Sequence, residues 1–185
     1  MEEYYHLNSE DYILETIDID MSEAYCFVER YLKEKATILD VGFGSGRDML
    51  YFASKGHQVE GIDIEENFIT HAKELGLNVK YGDARTYKTR KRYDLIWACA
   101  SLVHMKRQEM LECIRHLLTL LKKDGLLYLS LKCRDHYEEE VDIDGRFYTY
   151  VDLRLLSFKF KLVEKRITYL KYSDYDWLNA LLRKE

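Results

Sequence analysis

The spacing of hydrophobic and polar positions changes period repeatedly along this chain. In residues 18–34, Ala24, Phe27, Val28, Tyr31 and Leu32 fall at i, i+3, i+4, i+7 and i+8, which predicts an amphipathic helix. Asp20, with Glu23 three residues on, is placed to form a capping arrangement at its start. "TILDVG", residues 37–42, is an apolar run of strand length, and a helix from about Ser45 to Lys55 follows, ended by Gly56. The pairing recurs. "HQVEGIDI" (57–64) predicts a second strand, and "ENFITHAKELG" (66–76) a helix with Phe68, Ala72 and Leu75 on one face. "LNVKYGD" (77–83) and "RYDLIWACA" (92–100) predict a third and a fourth strand. "RQEMLECIRHLLTLLKKDG" (107–125) has the clearest helical stripe, Met110, Ile114, Leu117, Leu118 and Leu121, and "LLYLSLK" (126–132) predicts a fifth strand. Past Arg146 the pattern predicts a short helix near 150–158 and two strands near 161–170 and 177–183.

Strand and helix alternate from residue 37 to 132. That order argues for an α/β fold, a parallel sheet covered by helices on both faces. Ligands of such sheets lie beyond the carboxyl ends of the strands, where strand order reverses. The residues that matter are therefore 40–47, 63–65, 83–85 and 98–104.

Composition narrows the picture. With 185 residues, 47% of them hydrophobic, the chain is expected to be a single domain (1–185) with a real core. Within it, residues 1–36 read as a helical cap or lid, 37–132 as the core and 133–185 as the rest of the sheet. A net charge of −5 removes a global basic field, so nucleic acid is not an expected partner. The local basic run Arg85, Lys88, Arg90, Lys91 and Arg92 reads as a solvated loop, with a phosphate-bearing substrate as the sharper alternative. No apolar run approaches the ~20 residues of a membrane helix, and the acidic, polar start has no leader pattern. Cys26, Cys99, Cys113 and Cys133 are scattered, with no spacing that suits a metal; free thiols in the cytoplasm are expected.

Three of the nine glycines sit in "ILDVGFGSGRD", residues 38–48. Gly42, Gly44 and Gly46 stand where the first strand turns into its helix, so backbone can touch a ligand and the helix start offers unpaired N–H groups. A dinucleotide site uses G-x-G-x-x-G; here the third glycine comes one residue early. Asp40 just before the turn would repel a pyrophosphate and attract a cation. S-adenosylmethionine fits this charge pattern. Asp63 can accept its ribose hydroxyls, Asp83 its adenine amine, and Asp40 can help hold its ammonium. The main chain of Phe43 and Gly44 can line the methionine part, and Arg47 can pair with the carboxylate. Each aspartate alone is as readily a helix cap or turn former; the three together, each after a successive strand, point to the ligand.

"ILDVGFGSGRD", "VEGIDI", "VKYGDA", "YDLIWACASLVHM" and "LLKKDGLLYLSLK" resemble the successive motifs of class I S-adenosylmethionine-dependent methyltransferases, over roughly residues 20–132. The nearest likeness is to small bacterial members with a WACASLLH-like stretch and a GRFF…WLN-like tail, here "GRFYTY" and "DWLNALLRK". The resemblance implies a Rossmann-like, three-layer α/β/α fold whose seven-stranded sheet is mostly parallel with an antiparallel last strand. It implies S-adenosylmethionine as cofactor, in a pocket at Asp40, Gly42, Gly44, Asp63, Asp83 and Ala84; Phe43, Gly46, Arg47, Ile64 and Ala100, beside these in sequence or at the fourth strand's end, are further cofactor-binding candidates. Phe43 stands where this group commonly has Cys, and Met105–Lys106 where a proline is common.

The acceptor is expected above the end of the fourth strand, where Ala98, Cys99, Ala100 and Ser101 are small. The chain has no proline, so the N-P-P-Y type turn used for methylating adenine or glutamine amides is absent, and a small-molecule acceptor is expected. His104 is the candidate proton acceptor, with a packing role as the alternative. Ser101 is a further substrate candidate, and the likeness to the group pattern adds Lys132, Arg146, Asp176 and Asn179. The acidic segment 133–148 reads as a solvated loop. Tyr4, Tyr5 and Tyr12 form either a lid or an amphipathic rim. A non-catalytic partner or cofactor sensor of the same fold would be favoured by loss of the glycines or Asp63, and neither is lost; a nicotinamide-dependent oxidoreductase suits the glycine spacing poorly.

Overall fold

In the computed structural model, which describes residues 2–152, 161–168 and 175–184, the strand side chains sort alternately onto two cores. Ile38, Leu95, Trp97, Leu126 and Tyr128 join one core with Phe27 and Phe52, while Leu39, Val41, Ile96, Ala98, Leu127 and Leu129 join the other with Met110, Ile114 and Leu117. Both faces of the central strands are thus covered, as a parallel sheet requires.

The chain opens with α1 (Glu2–Leu7), α2 (Ser9–Thr16) and α3 (Ser22–Glu29). Then come β1 (Thr37–Val41), α4 (Arg47–Ser54), β2 (Gln58–Asp63), α5 (Glu66–Glu74), β3 (Val79–Tyr81) and β4 (Tyr93–Cys99). A single 3-10 turn, Leu102–His104, leads into α6 (Arg107–Leu120) and β5 (Leu121–Arg134). The chain continues with β6 (Glu138–Val141), β7 (Phe147–Asp152), β8 (Leu162–Thr168) and β9 (Asp176–Arg183). Strands β3, β2, β1, β4 and β5 lie side by side in that order, all parallel. Strand β9 pairs antiparallel with β5, and β8 with β9. These seven strands are the expected mostly parallel sheet, in which β9, the last strand, alone runs antiparallel to the rest. Strand order reverses between β1 and β4, which places the ligand crevice over Gly42 and Ala100.

Four expectations are corrected. The segment 133–148 is not a loop. Strand β5 continues to Arg134, and β6 and β7 form an added antiparallel hairpin, with β7 parallel to the last residues of β5. Glu139 and Glu140 are exposed on β6, where charge keeps an open sheet edge from pairing with other chains. The helix expected near 150–158 is strand β7 over residues 150–152, because "FYTYV" is rich in aromatic and β-branched residues; residues 153–160 lie outside the described ones. Helix α6 stops at Leu120 rather than 125. Asp124 takes a left-handed conformation, φ +61°, and the β4–β5 ladder shifts register between Leu121 and Leu126. The helix expected over 18–34 is regular only over Ser22–Glu29; Asp20 accepts from the Ser22 N–H at 2.8 Å, but Met21 occupies the cap position. The strand expected at 161–170 is described as Leu162–Thr168, and residues 169 and 170 lie outside the described ones.

The cap and the sheet meet at one buried acid. Asp48, on the first turn of α4, accepts from Tyr25 Oη (2.6 Å), Trp97 Nε1 (2.8 Å) and the Arg47 fork (2.7 and 3.0 Å). Trp97 is fully buried and stacked on Tyr128 with ring centroids 3.9 Å apart, which makes it core rather than a substrate wall. Removing the carboxylate strands three donors in a dry place. Asp48→Ala is therefore expected to lower unfolding stability by ~3–5 kcal/mol, measured by chemical denaturation; a loss under 1 kcal/mol would show that this hub carries little.

Candidate functional site

The glycine turn follows from its neighbours. Gly42 has φ +68°, and a side chain there would put its Cβ 2.5 Å from Ser101 Cβ. Gly44 has φ +53°, with Tyr12 Cε1 3.1 Å from where its Cβ would lie. Only glycine allows that backbone and that closeness together. The turned-out Gly44 N–H donates to Asp63 Oδ2 at 3.1 Å, which ties the end of β1 to the end of β2. Asp63 Oδ1 accepts from the Ile64 and Glu65 amides at 2.7 and 3.0 Å. Burial raises the Asp63 pKa, and these three backbone donors oppose the rise.

Asp40 lies beneath the turn, 2% exposed, and its Oδ2 has no hydrogen-bond partner. Burial, then the charges of Asp48 and Asp63, push its pKa well above the usual carboxylate range, with Arg47 opposing. A buried acid in this state gains most from a cationic ligand. Asp83, after β3, is held below its usual pKa, first by the Arg85 guanidinium, which reaches both its oxygens at 2.6–3.0 Å.

Two cavities open here. One, of about 210 Å³, is ringed by Gly42, Gly44, Asp63, Ile64, Asp83, Ala84, Ala100 and Ser101, so the ends of β1, β2, β3 and β4 converge on it as expected. The other, of about 730 Å³, is lined by His104, Lys132, Arg146, Tyr148, Trp177 and Asn179, with Arg47 at its edge. They share Tyr5, Tyr12, Cys99, Ala100 and His104. Ala100 has φ +55°, strained for a residue with a side chain, at this junction.

The remaining sequence candidates divide. Phe43 packs its ring in the core with Met49 and Phe68, leaving its main chain in the turn. Gly46 caps α4 in a left-handed conformation. Arg47 does not line the smaller cavity: its fork is taken by Asp48, and Nη1 donates to the Thr16 carbonyl at 3.3 Å. Ser101 lies in the smaller cavity rather than the larger one, with a buried Oγ that has no partner. Lys132 is buried, its Nζ 3.4 Å from the Tyr148 ring centroid and 4.2 Å from that of Tyr175. Arg146 pairs with Asp144 and stacks over Tyr4. Asn179 faces the larger cavity; Asp176 lies elsewhere, beside Cys133 and Arg134. In the basic run, Lys91 pairs with buried Glu60, so this part of it serves the fold. Burial opposes ionisation of Glu60, but Lys80, Lys91, Tyr87 and Tyr93 outweigh it and bring its pKa down to about 2.

His104 is held at both nitrogens: Nδ1 is 2.8 Å from the Phe147 carbonyl and Nε2 2.8 Å from Tyr5 Oη. Burial brings its pKa down to about 4, helped by Arg146 and Lys132 and opposed by the bond to Phe147. It is neutral near pH 7, a hydrogen-bond partner but a weak base. Tyr5 is the partner that sequence reasoning missed. It lies 99 residues from His104, and only the expected lid hinted at it.

Residues 38–125 match the methyltransferase domain family. The chain is 30% identical over 160 residues to (S)-coclaurine N-methyltransferase of Papaver somniferum, covering 79% of this chain and 44% of that protein. It spans less than half the length of the curated plant relatives it matches. Among solved structures it is similar to Burkholderia thailandensis 1,6-didemethyltoxoflavin-N1-methyltransferase with bound 1,6-didemethyltoxoflavin and S-adenosylhomocysteine. That likeness has a TM-score of 0.79 at 21% identity and covers 97% of this chain and 84% of that one. The cyclase SpnF is similar too, with a TM-score of 0.78 at 18% identity over 99% of this chain and 94% of that one. The fold is thus the Rossmann-like one that these solved structures share. Among the described residues no helix is long and apolar enough to cross a membrane.

A cation that settles against Asp40 lowers the raised pKa, so binding releases a proton over the pH range in which the free carboxyl still holds one. S-adenosylhomocysteine, whose ammonium is the probe, is expected to bind with net proton release and with affinity that rises with pH while Asp40 titrates. Calorimetry in two buffers of different ionisation enthalpy measures this. Net proton uptake, or the same release from Asp40→Asn, would contradict it.

Proposed function

We propose that this chain, whose residues 38–125 match the methyltransferase domain family, is an S-adenosylmethionine-dependent methyltransferase acting on a small molecule. The observation that carries this reading is the partnerless oxygen of Asp40, buried under a glycine turn that opens onto a cavity ringed by four strand ends. Bound there, the cofactor would supply a methyl group on a positively charged sulfur. Asp40 balances the charge of its ammonium. Asp63 takes its ribose, with a qualification that the geometry imposes. A carboxylate has about four lone-pair sites and three accept from backbone amides, so one hydroxyl fits and a second displaces the Gly44 bond. Asp83, Ala84 and Ile64 line the adenine end, and the main chain of Phe43 and Gly44 the methionine end.

The larger cavity receives the acceptor. Its volume suits a small molecule of several rings. The junction at Ala100 brings acceptor and methyl donor together, with small side chains leaving room. Nitrogen is the accepting atom in this reading, because the plant relative and the Burkholderia enzyme are both named for transfer to nitrogen. An uncharged amine attacks with its own lone pair, so the site's task is alignment and exclusion of water more than proton removal. A neutral His104, a weak base, suits that task. Four free thiols fit the cytoplasm, and the whole chain acts as a single domain with residues 2–16 as its lid.

A second reading, a protein of this fold that holds the cofactor without methylating, is supported by the likeness to a cyclase. One experiment separates the two. Incubation with S-adenosylmethionine and a panel of small cyclic amines, followed by mass spectrometry, is expected to show a methylated amine and demethylated cofactor in equal amounts. Asp63→Ala is expected to weaken cofactor binding by ~1–3 kcal/mol. Binding without turnover across the panel favours the second reading, and no binding at all contradicts both.

A further inference from the structure

The N-terminal helices are fastened to loops that follow three different strands. Asn67 Nδ2 donates to Ser9 Oγ at 3.0 Å and to the His6 carbonyl at 3.2 Å, which holds α1 and α2 to the start of α5, after β2. Arg47 holds the end of α2 through the Thr16 carbonyl, and the Tyr12 ring lies on Gly44, both after β1. Tyr5 makes the third attachment, to His104, after β4. Its ring sits edge-on to Tyr12 and His104, at centroid distances of 5.2 and 5.6 Å.

The chemistry of that last bond is directional. The Phe147 carbonyl can only accept, so His104 Nδ1 carries the hydrogen. In the neutral ring Nε2 is then a bare acceptor, and the Tyr5 hydroxyl donates to it. The carbonyl sets that tautomer; the hydroxyl, which can donate or accept, completes it at Nε2, and together the two bonds fix the rotation of the ring. Tyr5, Tyr12, Cys99, Ala100 and His104 are also the residues common to both cavities. Docking of the N-terminal segment and orientation of His104 are therefore one event.

We propose that Tyr5 is a positioning residue: its hydroxyl donates to Nε2 of His104 and orients that ring at the neck between the two cavities, and docking of residues 2–16 is what completes the acceptor site. The functional part of this inference rests on the methyltransferase reading, but the pairing itself is testable without cofactor or acceptor. Three further observations support it. Arg146 stands against Tyr5 and opposes the rise in its pKa that burial causes. Arg146 and Lys132 both disfavour a charged His104, which keeps Nε2 free of a proton and able to accept. The Tyr148 ring packs on His104 at 4.7 Å from the side of β7, so the imidazole is gripped between the lid and the added hairpin.

The test is long-range proton–nitrogen spectroscopy of the full chain labelled at histidine, with His104 assigned through His104→Asn. Hydrogen exchange of residues 2–16 is measured in parallel. Wild type is expected to show a protonated Nδ1 and an unprotonated, hydrogen-bonded Nε2 on His104. Tyr5→Phe keeps the ring and its packing but lacks the donor. It is expected to move the Nε2 signal towards that of a free imidazole while Nδ1 stays protonated on the Phe147 carbonyl, and to speed exchange in residues 2–16 roughly fivefold, as for one lost hydrogen bond. Tyr12→Phe, which leaves the Gly44 packing in place and does not touch His104, is expected to leave the His104 signals unchanged. Wild-type signals and exchange in Tyr5→Phe, or an Nε2–H tautomer in wild type, would overturn the proposal. A wild-type chain with the expected His104 signals that binds no S-adenosylhomocysteine upholds the pairing while contradicting the cofactor reading.

Discussion

The hydrogen bond from the Gly44 amide to Asp63 is the constraint on which the rest of the site depends. It can form only if the chain leaves β1 with left-handed backbone at Gly42 and Gly44, and only if β2 lies beside β1 in register, with Asp40 opposite Gly61. The same turn seats Asp40 below the cavity floor and brings Gly42 against Ser101 at the end of β4. Three strand ends are gathered by one bend, and a buried acid without a partner is left under it. A cation settling there would supply what Asp40 lacks.

Most of this was legible because it is local. Near-continuous apolar runs in "ILDV", "YDLIWAC" and "LLYLSLK" mark strands whose two faces are both buried, and successive residues along them go to the two cores in turn. Glycines at every second position mark the turn. Acids at Asp40, Asp63 and Asp83 mark successive strand ends, and all three strand ends meet around one cavity. What was not legible depends on partners distant in sequence. Arg47 has the right charge for a carboxylate, but Asp48, its neighbour on the same helix turn, takes the fork because Tyr25 and Trp97 already hold that acid in place. Tyr5 and His104 have no local signature linking them. The β6–β7 hairpin was hidden by its composition: a run of glutamates resembles a solvated loop, yet on an edge strand the same charges are compatible with pairing on the other side.

The hairpin and the N-terminal helices both help to wall the larger cavity. Strand β7 contributes Tyr148, whose ring meets both His104 and Lys132, and the Phe147 carbonyl that sets the histidine tautomer. The N-terminal helices contribute Tyr5 and Tyr12. Neither element belongs to the matched segment 38–125, so the larger cavity is completed by parts outside that segment.

The account stands or falls on where the cofactor sits. A crystal structure with S-adenosylhomocysteine tests this most directly. It should show the ammonium against Asp40, the ribose at Asp63 and the sulfur at the Ala100 junction facing the larger cavity. A ligand bound away from the Gly42–Gly44 turn, or one that leaves Asp40 Oδ2 without a partner, would contradict it.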